Sequence, residues 1–178
     1  MSVVVLVGNP RSGSRTLTVA VEAAKAVGQR IDGLAAADSY EVIDLSALGP
    51  RLFGTGASGG VEVALEQVAE ASVLVVASPT YKGTYTGLLK AFLDRLPPNA
   101  LAGKAALPLL VMGDARHALA VEVHLRPLLV ELGATVPTPG LAVLEADLPK
   151  LDEVLAGWAE RVAPQISPQA GTRAGASA

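Results

Sequence analysis

Six side chains able to donate a hydrogen bond to a phosphate oxygen crowd into the segment GNPRSGSRT at residues 8–16: Asn9, Arg11, Ser12, Ser14, Arg15 and Thr16. They follow the apolar run Val3-Val4-Val5-Leu6-Val7, and they stand where a helix should begin. A helix start presents unpaired N–H groups and the positive end of its dipole, so this is a place to hold an anion. A second unusual segment, Ser78-Pro79-Thr80-Tyr81-Lys82-Gly83, follows another apolar run. Pro79 and Gly83 shape its backbone, Tyr81 offers a flat ring, and main-chain N–H groups there suit the polar edge of a planar heterocycle.

The elements that must position these segments alternate between strand and helix. The run at 3–7 does not alternate with polar residues and reads as a strand covered on both faces. A helix is expected over 15–28, a second strand over 41–45, and a mobile Gly-rich connection over 46–60. Then come a helix over 61–71, a strand over 73–77, a helix over 84–96 ended by Pro97-Pro98, and a strand over 105–112. A helix over 115–132, a strand over 140–144 and a helix over 150–163 complete the series. Five strands with helical crossovers predict an α/β, doubly wound parallel sheet with helices on both faces. Residues 1–163 are expected to form one domain. From Pro164 the chain is Pro, Gly, Ala and Ser without periodicity, which predicts a disordered tail over 164–178.

Composition narrows the function. The 178 residues are 51% hydrophobic and only 3% aromatic, which suits close packing of helices on a sheet. With no cysteine there is no disulfide, thiol catalysis or thiolate metal site. A net charge of −3 with scattered basic residues gives no nucleic-acid stripe. No apolar run reaches the roughly 18 residues needed to span a bilayer, and the N-terminus lacks the pattern of a signal peptide, so a cytoplasmic protein with no membrane partner is expected.

Ligands of open parallel sheets sit beyond the carboxyl ends of strands where the strand order reverses. In the order 2-1-3-4-5, the loops at 8–16, 78–83 and 113–117 follow neighbouring strands, and one ligand can touch all three. A dinucleotide fingerprint would need glycine where Pro10 stands. A P-loop would need Lys and then Ser or Thr after Gly13, where the chain has Ser14 and Arg15. What remains suits a single dianionic phosphate. A phosphate at one loop and a flat ring at another describe flavin mononucleotide, FMN.

GNPRSGSRT at 8–16, SPTYKGTYTGLLKAFLDRLP at 78–97 and HALAVEVHLRPLL at 117–129 together resemble the NAD(P)H-dependent FMN reductases. The branch most similar is the one that supplies reduced flavin to alkanesulfonate monooxygenases, and the resemblance covers roughly residues 3–145. It implies a flavodoxin-like fold with sheet order 2-1-3-4-5. It also implies that Asn9, Arg11, Ser14, Arg15 and Thr16 hold the FMN phosphate, while Pro79, Thr80, Tyr81, Lys82 and Gly83, with Gly113 and Asp114, line the isoalloxazine. Asn9 departs from the serine usual in the family, and its amide still donates. The implied reaction passes hydride from NAD(P)H to FMN when the two rings stack. The protein then contributes alignment and a favourable field, with no catalytic nucleophile and no metal. The family forms dimers and tetramers, so a homodimer or homotetramer is expected, with a flavin-dependent monooxygenase as a further partner.

Other residues carry two readings. Lys82 either offsets charge at the ring site or is a solvated loop lysine. His117 and His124, seven apart on one expected helix, lie too far apart for one metal ion and suit solvent or an interface. Asp44 and Asp94 read as structural. On the helix over 115–132, Ala118, Val121, Leu125, Leu128 and Leu132 predict a core stripe, while Leu119, Val123, Leu129 and Val130 leave apolar surface that calls for a partner. Pro127 denies a hydrogen bond to the carbonyl of Val123 and predicts a bend or bulge. Some members of the resembled branch carry an inserted tyrosine near here that changes flavin handling and assembly; Val123 stands at the aligned place. Two other functions share the fold: an FMN-containing quinone, azo or chromate reductase, and a flavin-binding electron-transfer protein without turnover.

Overall fold

A computed structural model describes residues 2–31, 40–54 and 59–166. Its centre is one five-stranded parallel sheet in the order β2-β1-β3-β4-β5, built from β1 (Val3–Val7), β2 (Tyr40–Asp44), β3 (Val73–Pro79), β4 (Ala105–Met112) and β5 (Leu141–Leu144). β1 lies between its neighbours in simple register, with Val5 opposite both Val42 and Val75. Every residue of β1, β3 and β4 is buried, which is why these strands read as unbroken apolar runs. This is the expected flavodoxin-like arrangement.

Successive side chains along β1 feed two separate cores. Val3, Val5 and Val7 pack with Val19 and Ala23 of α1 (Arg15–Gly28) and with Trp158 and Val162 of the C-terminal helix. Val4 and Leu6 pack on the other face. There they join Leu52 of α2 (Gly49–Leu52), Val61 of α3 (Gly59–Glu70), Leu89 and Phe92 of α4 (Gly87–Leu93), and Leu129 of α5 (Arg126–Glu131). The C-terminal helix, α6, spans Leu151–Ile166. None of the described helices is long and apolar enough to cross a membrane.

Several boundaries differ from expectation, each for a local reason. β2 ends at Asp44 rather than 45, because the Asp44 carboxylate accepts from the Ser46 N–H and turns Leu45–Ala47 into a single 3₁₀ turn. The connection expected to be mobile over 46–60 contains that turn, α2 and the start of α3, and residues 55–58 lie outside the described residues. The helix expected over 84–96 is shorter, since Thr86 takes the N-cap of α4 and residues 81–84 form a hairpin turn. α6 continues past Pro164 to Ile166, where Ile166 is buried against the sheet. The rest of the expected tail, 167–178, lies outside the described residues.

The continuous helix expected over 115–132 is divided. It comprises a 3₁₀ turn at Ala115–His117, a π-helical turn at Val121–Leu125, and α5. Pro127 sits in the first turn of α5, directly after the bulge that its missing N–H predicts. The bulge therefore forms with valine at 123. Of the expected stripe, Val121 and Leu125 are buried and Leu128 and Leu132 pack half-buried on the same core, whereas Ala118 is exposed and Ala120 is buried in its place; Leu129, expected to leave apolar surface, is instead fully buried. Leu119, Val123 and Val130 stay exposed.

Candidate functional site

The loops after β1, β3 and β4 converge at the carboxyl edge of three adjacent strands. The first is organised from inside. Asn9, 6% exposed, donates from Nδ2 to Thr16 Oγ1 at 3.1 Å and accepts from the Arg11 N–H at 2.9 Å. One of the two amide hydrogens of Asn9 is thus used within the loop, and Thr16, buried beside it, accepts that bond and keeps its own hydroxyl proton. Both residues shape the loop. Ser14 caps α1 by accepting from the Leu17 N–H at 3.2 Å, leaving its hydroxyl proton free to donate outward.

What the loop offers outward is mainly backbone. Among the described residues, the N–H groups of Ser12, Gly13, Ser14, Arg15 and Thr16 have no hydrogen-bond partner. Gly13 adopts φ +62 with open space around the place of a side chain, the conformation that turns successive N–H groups to one side. Arg11 and Arg15, at either end of this stretch, are both exposed. Arg15 is paired, donating from Nη1 to Glu145 at 2.8 Å. This donor set fits a phosphate dianion: unpartnered N–H groups at a helix start, a free hydroxyl and a guanidinium without a described partner.

The second loop is a tight hairpin. Tyr81 and Thr84 form an antiparallel bridge around Lys82 (φ +55) and Gly83 (φ +85). Positive φ at both central residues marks a type I′ turn, which explains a glycine at 83. Thr80 donates its N–H to the Val111 carbonyl, and Tyr81 donates its own to Thr84, so neither is free for a ligand. The N–H groups of Lys82 and Gly83 have no partner among the described residues. Tyr81 is 42% exposed and presents its ring, Lys82 is exposed without a described ion pair, and Pro79 is buried as the last residue of β3.

The third loop begins at the exposed Gly113. Asp114 caps the 3₁₀ turn, and Arg116 binds both carboxylate oxygens through its side chain and its main-chain N–H. Those bonds, with the side-chain bond foremost, hold the Asp114 carboxyl down to about 2. Its side chain is occupied locally, so backbone is what it offers a ring. His117 lies over the hairpin, with Nε2 and Cδ2 3.9 Å from where a Gly83 side chain would start.

Residues not singled out by sequence tie the loops together. Thr86 Oγ1 donates to the Gly8 carbonyl at 2.5 Å and accepts from the Leu89 N–H; Ser78 Oγ accepts from the Thr86 N–H and donates to the Pro79 carbonyl. Both hydroxyls are buried and fix the loop after β1 against the turn after β3. A side chain on Gly8 would come within 2.5 Å of Leu89 Cβ, so α4 approaches β1 closely only because residue 8 is glycine. The sequence signal was available for Thr86, a threonine just before an apolar helical run, and absent for the distant acceptor. No group of three or more His, Asp or Glu suited to a metal ion occurs among the described residues.

The family described as NADPH-dependent FMN reductase matches residues 1–147. The chain is 37% identical over 134 residues to an FMN reductase (NADPH) of Escherichia coli (strain K12), covering 75% of this chain and 68% of that one. It is 33% identical over 150 residues to the NADH-dependent FMN reductase SfnF of Pseudomonas fluorescens (strain Pf0-1), covering 83% and 78%. Its fold superposes on the apo form of the NADH:FMN oxidoreductase EMOB with TM-score 0.82 and 33% identity, covering 97% of this chain and 93% of the other. The loops gathered at this sheet edge thus belong to an oxidoreductase that works with FMN and NAD(P)H, and the chain is a member of the NADPH-dependent FMN reductase family.

Proposed function

We propose that FMN binds with its phosphate on the 12–16 backbone concavity between Arg11 and Arg15, and with its ring against Tyr81, Lys82, Gly83 and Gly113. The observation that carries this reading is the row of unpartnered N–H groups from Ser12 to Thr16 at the start of α1. Bound there, FMN supplies a ring that takes hydride from NAD(P)H. The chain's own contribution is binding and alignment. Ser14 and Arg11 hold the phosphate end, and the Lys82 and Gly83 N–H groups face the polar rim of the ring. Thr86 and Ser78 keep the two subsites at a fixed separation. Lys82 places a positive charge on the ring turn, where it favours the electron-rich product.

The reduced flavin then leaves for a flavin-dependent monooxygenase in the cytoplasm, as the resemblance of the 8–16, 78–97 and 117–129 segments to the monooxygenase-associated branch implies; the similar SfnF and SfnE proteins are themselves FMN reductases. A homodimer or homotetramer fits the apolar surface of Leu119, Val123 and Val130. Anaerobic steady-state kinetics tests the reading. NAD(P)H oxidation that saturates with free FMN supports it. Turnover of a quinone with flavin that never exchanges supports the alternative reductase class, and absence of NAD(P)H oxidation with added FMN defeats both.

A further inference from the structure

The two arginines on the phosphate loop are not equivalent. Arg11 uses only its main-chain N–H within the loop, and its guanidinium has no partner among the described residues. Arg15, the first residue of α1, donates from Nη1 to Glu145 Oε2 at 2.8 Å. Glu145 is the first residue after β5, so the carboxylate reaches the phosphate loop from a strand separated from β1 by β3 and β4. Both partners are largely exposed, at 65% and 44%, and pairs of that kind contribute little to folding. Its larger consequence is electrostatic. A dianion approaching Arg11 and Arg15 alone would meet two positive charges. With Glu145 paired to Arg15 it meets a net charge of one.

We propose that Glu145 is an affinity-setting residue: it weakens the grip of the phosphate loop on FMN so that the flavin exchanges at each turnover rather than staying bound. The inference rests on the phosphate position proposed above. A loop with two unopposed arginines, a free hydroxyl and five open N–H groups is suited to retaining a phosphate, whereas delivery of reduced flavin requires release. One opposing carboxylate reconciles the two demands without altering the ring site.

Equilibrium titration of the full chain with FMN and with riboflavin, which lacks the phosphate, tests this in the wild type, Glu145→Ala and Glu145→Gln. Both variants should bind FMN roughly three- to tenfold more tightly, with the gain shrinking as salt is raised, and riboflavin affinity should not move. Glu145→Gln separates charge from placement, because the amide oxygen can still accept from Arg15. If Glu145 instead serves to place Arg15, alanine weakens FMN binding and glutamine restores it, which overturns the proposal. Unchanged FMN affinity in both variants, or equal changes for FMN and riboflavin, also overturns it. A wild type that binds riboflavin as tightly as FMN removes the phosphate site itself and the proposal with it.

Discussion

Arg11 and Tyr81 stand at opposite ends of the proposed ligand, so their loss should separate phosphate recognition from ring recognition. Arg11→Ala should weaken FMN binding by about 1.5–3 kcal/mol, the range for hydrogen bonds to a charged group, and leave riboflavin binding unchanged. Tyr81→Ala should weaken both, and flavin fluorescence titrations read each directly. Asp114 makes a pH prediction. Its carboxyl is lowered from 3.8 to about 2 by Arg116, so the stabilisation from that cap is complete above the unfolded value and fades as pH falls through about 2. The pH profile of kcat/KM between about 5 and 9 should therefore be the same for wild type and Asp114→Asn. At this scale the donors of residues 8–16 were legible by type, because few other segments concentrate hydroxyls and guanidinium groups after a buried strand. Their division of labour was not. Nothing in the spacing shows that Asn9 and Thr16 turn inward to bond each other, nor that Arg15 finds Glu145 130 positions away.

Between elements, the Thr86 hydroxyl is the joint. It bonds the carbonyl of Gly8 just after β1 and caps α4, so one side chain sets the separation of the two proposed subsites. Thr86→Val keeps the shape but leaves the buried Gly8 carbonyl without its donor, and should cost about 1–3 kcal/mol of stability. Thermal or urea unfolding measures that cost. Thr86→Ser should recover most of it, and with it FMN affinity. The strands were readable because burial on both faces leaves an unbroken apolar signature, as in Val3–Val7 and Val73–Ala77. The helices were less so. Apolar periodicity over 115–132 does not distinguish a continuous helix from one containing a π turn, and only Pro127 marked the place of the irregularity. The turn over 78–83 was legible from Pro79 and Gly83, but its tightening to a hairpin at 81–84 was not, since a positive φ at a lysine leaves no trace in composition.

For the molecule as a whole, Leu119 and Val123 lie one turn apart on the outer surface, linked by the Val123 N–H to Leu119 carbonyl bond, with Val130 further along. Exposures of 71%, 56% and 53% for these three leave apolar surface that a second copy would cover. Sedimentation velocity should give a dimer or tetramer, and Leu119→Glu should shift the population to smaller species without changing the unfolding midpoint of the monomer. The architecture binds these scales together: because β1, β3 and β4 are neighbours, three loops far apart in sequence share one edge, and a ligand with an anionic end and a flat end can span them. A crystal structure with FMN bound tests that claim most directly. It should place the phosphate against the N–H groups of Ser12 to Thr16 and the ring system against Tyr81 to Gly83; a phosphate bound elsewhere, or a flavin lying away from this edge, would contradict it.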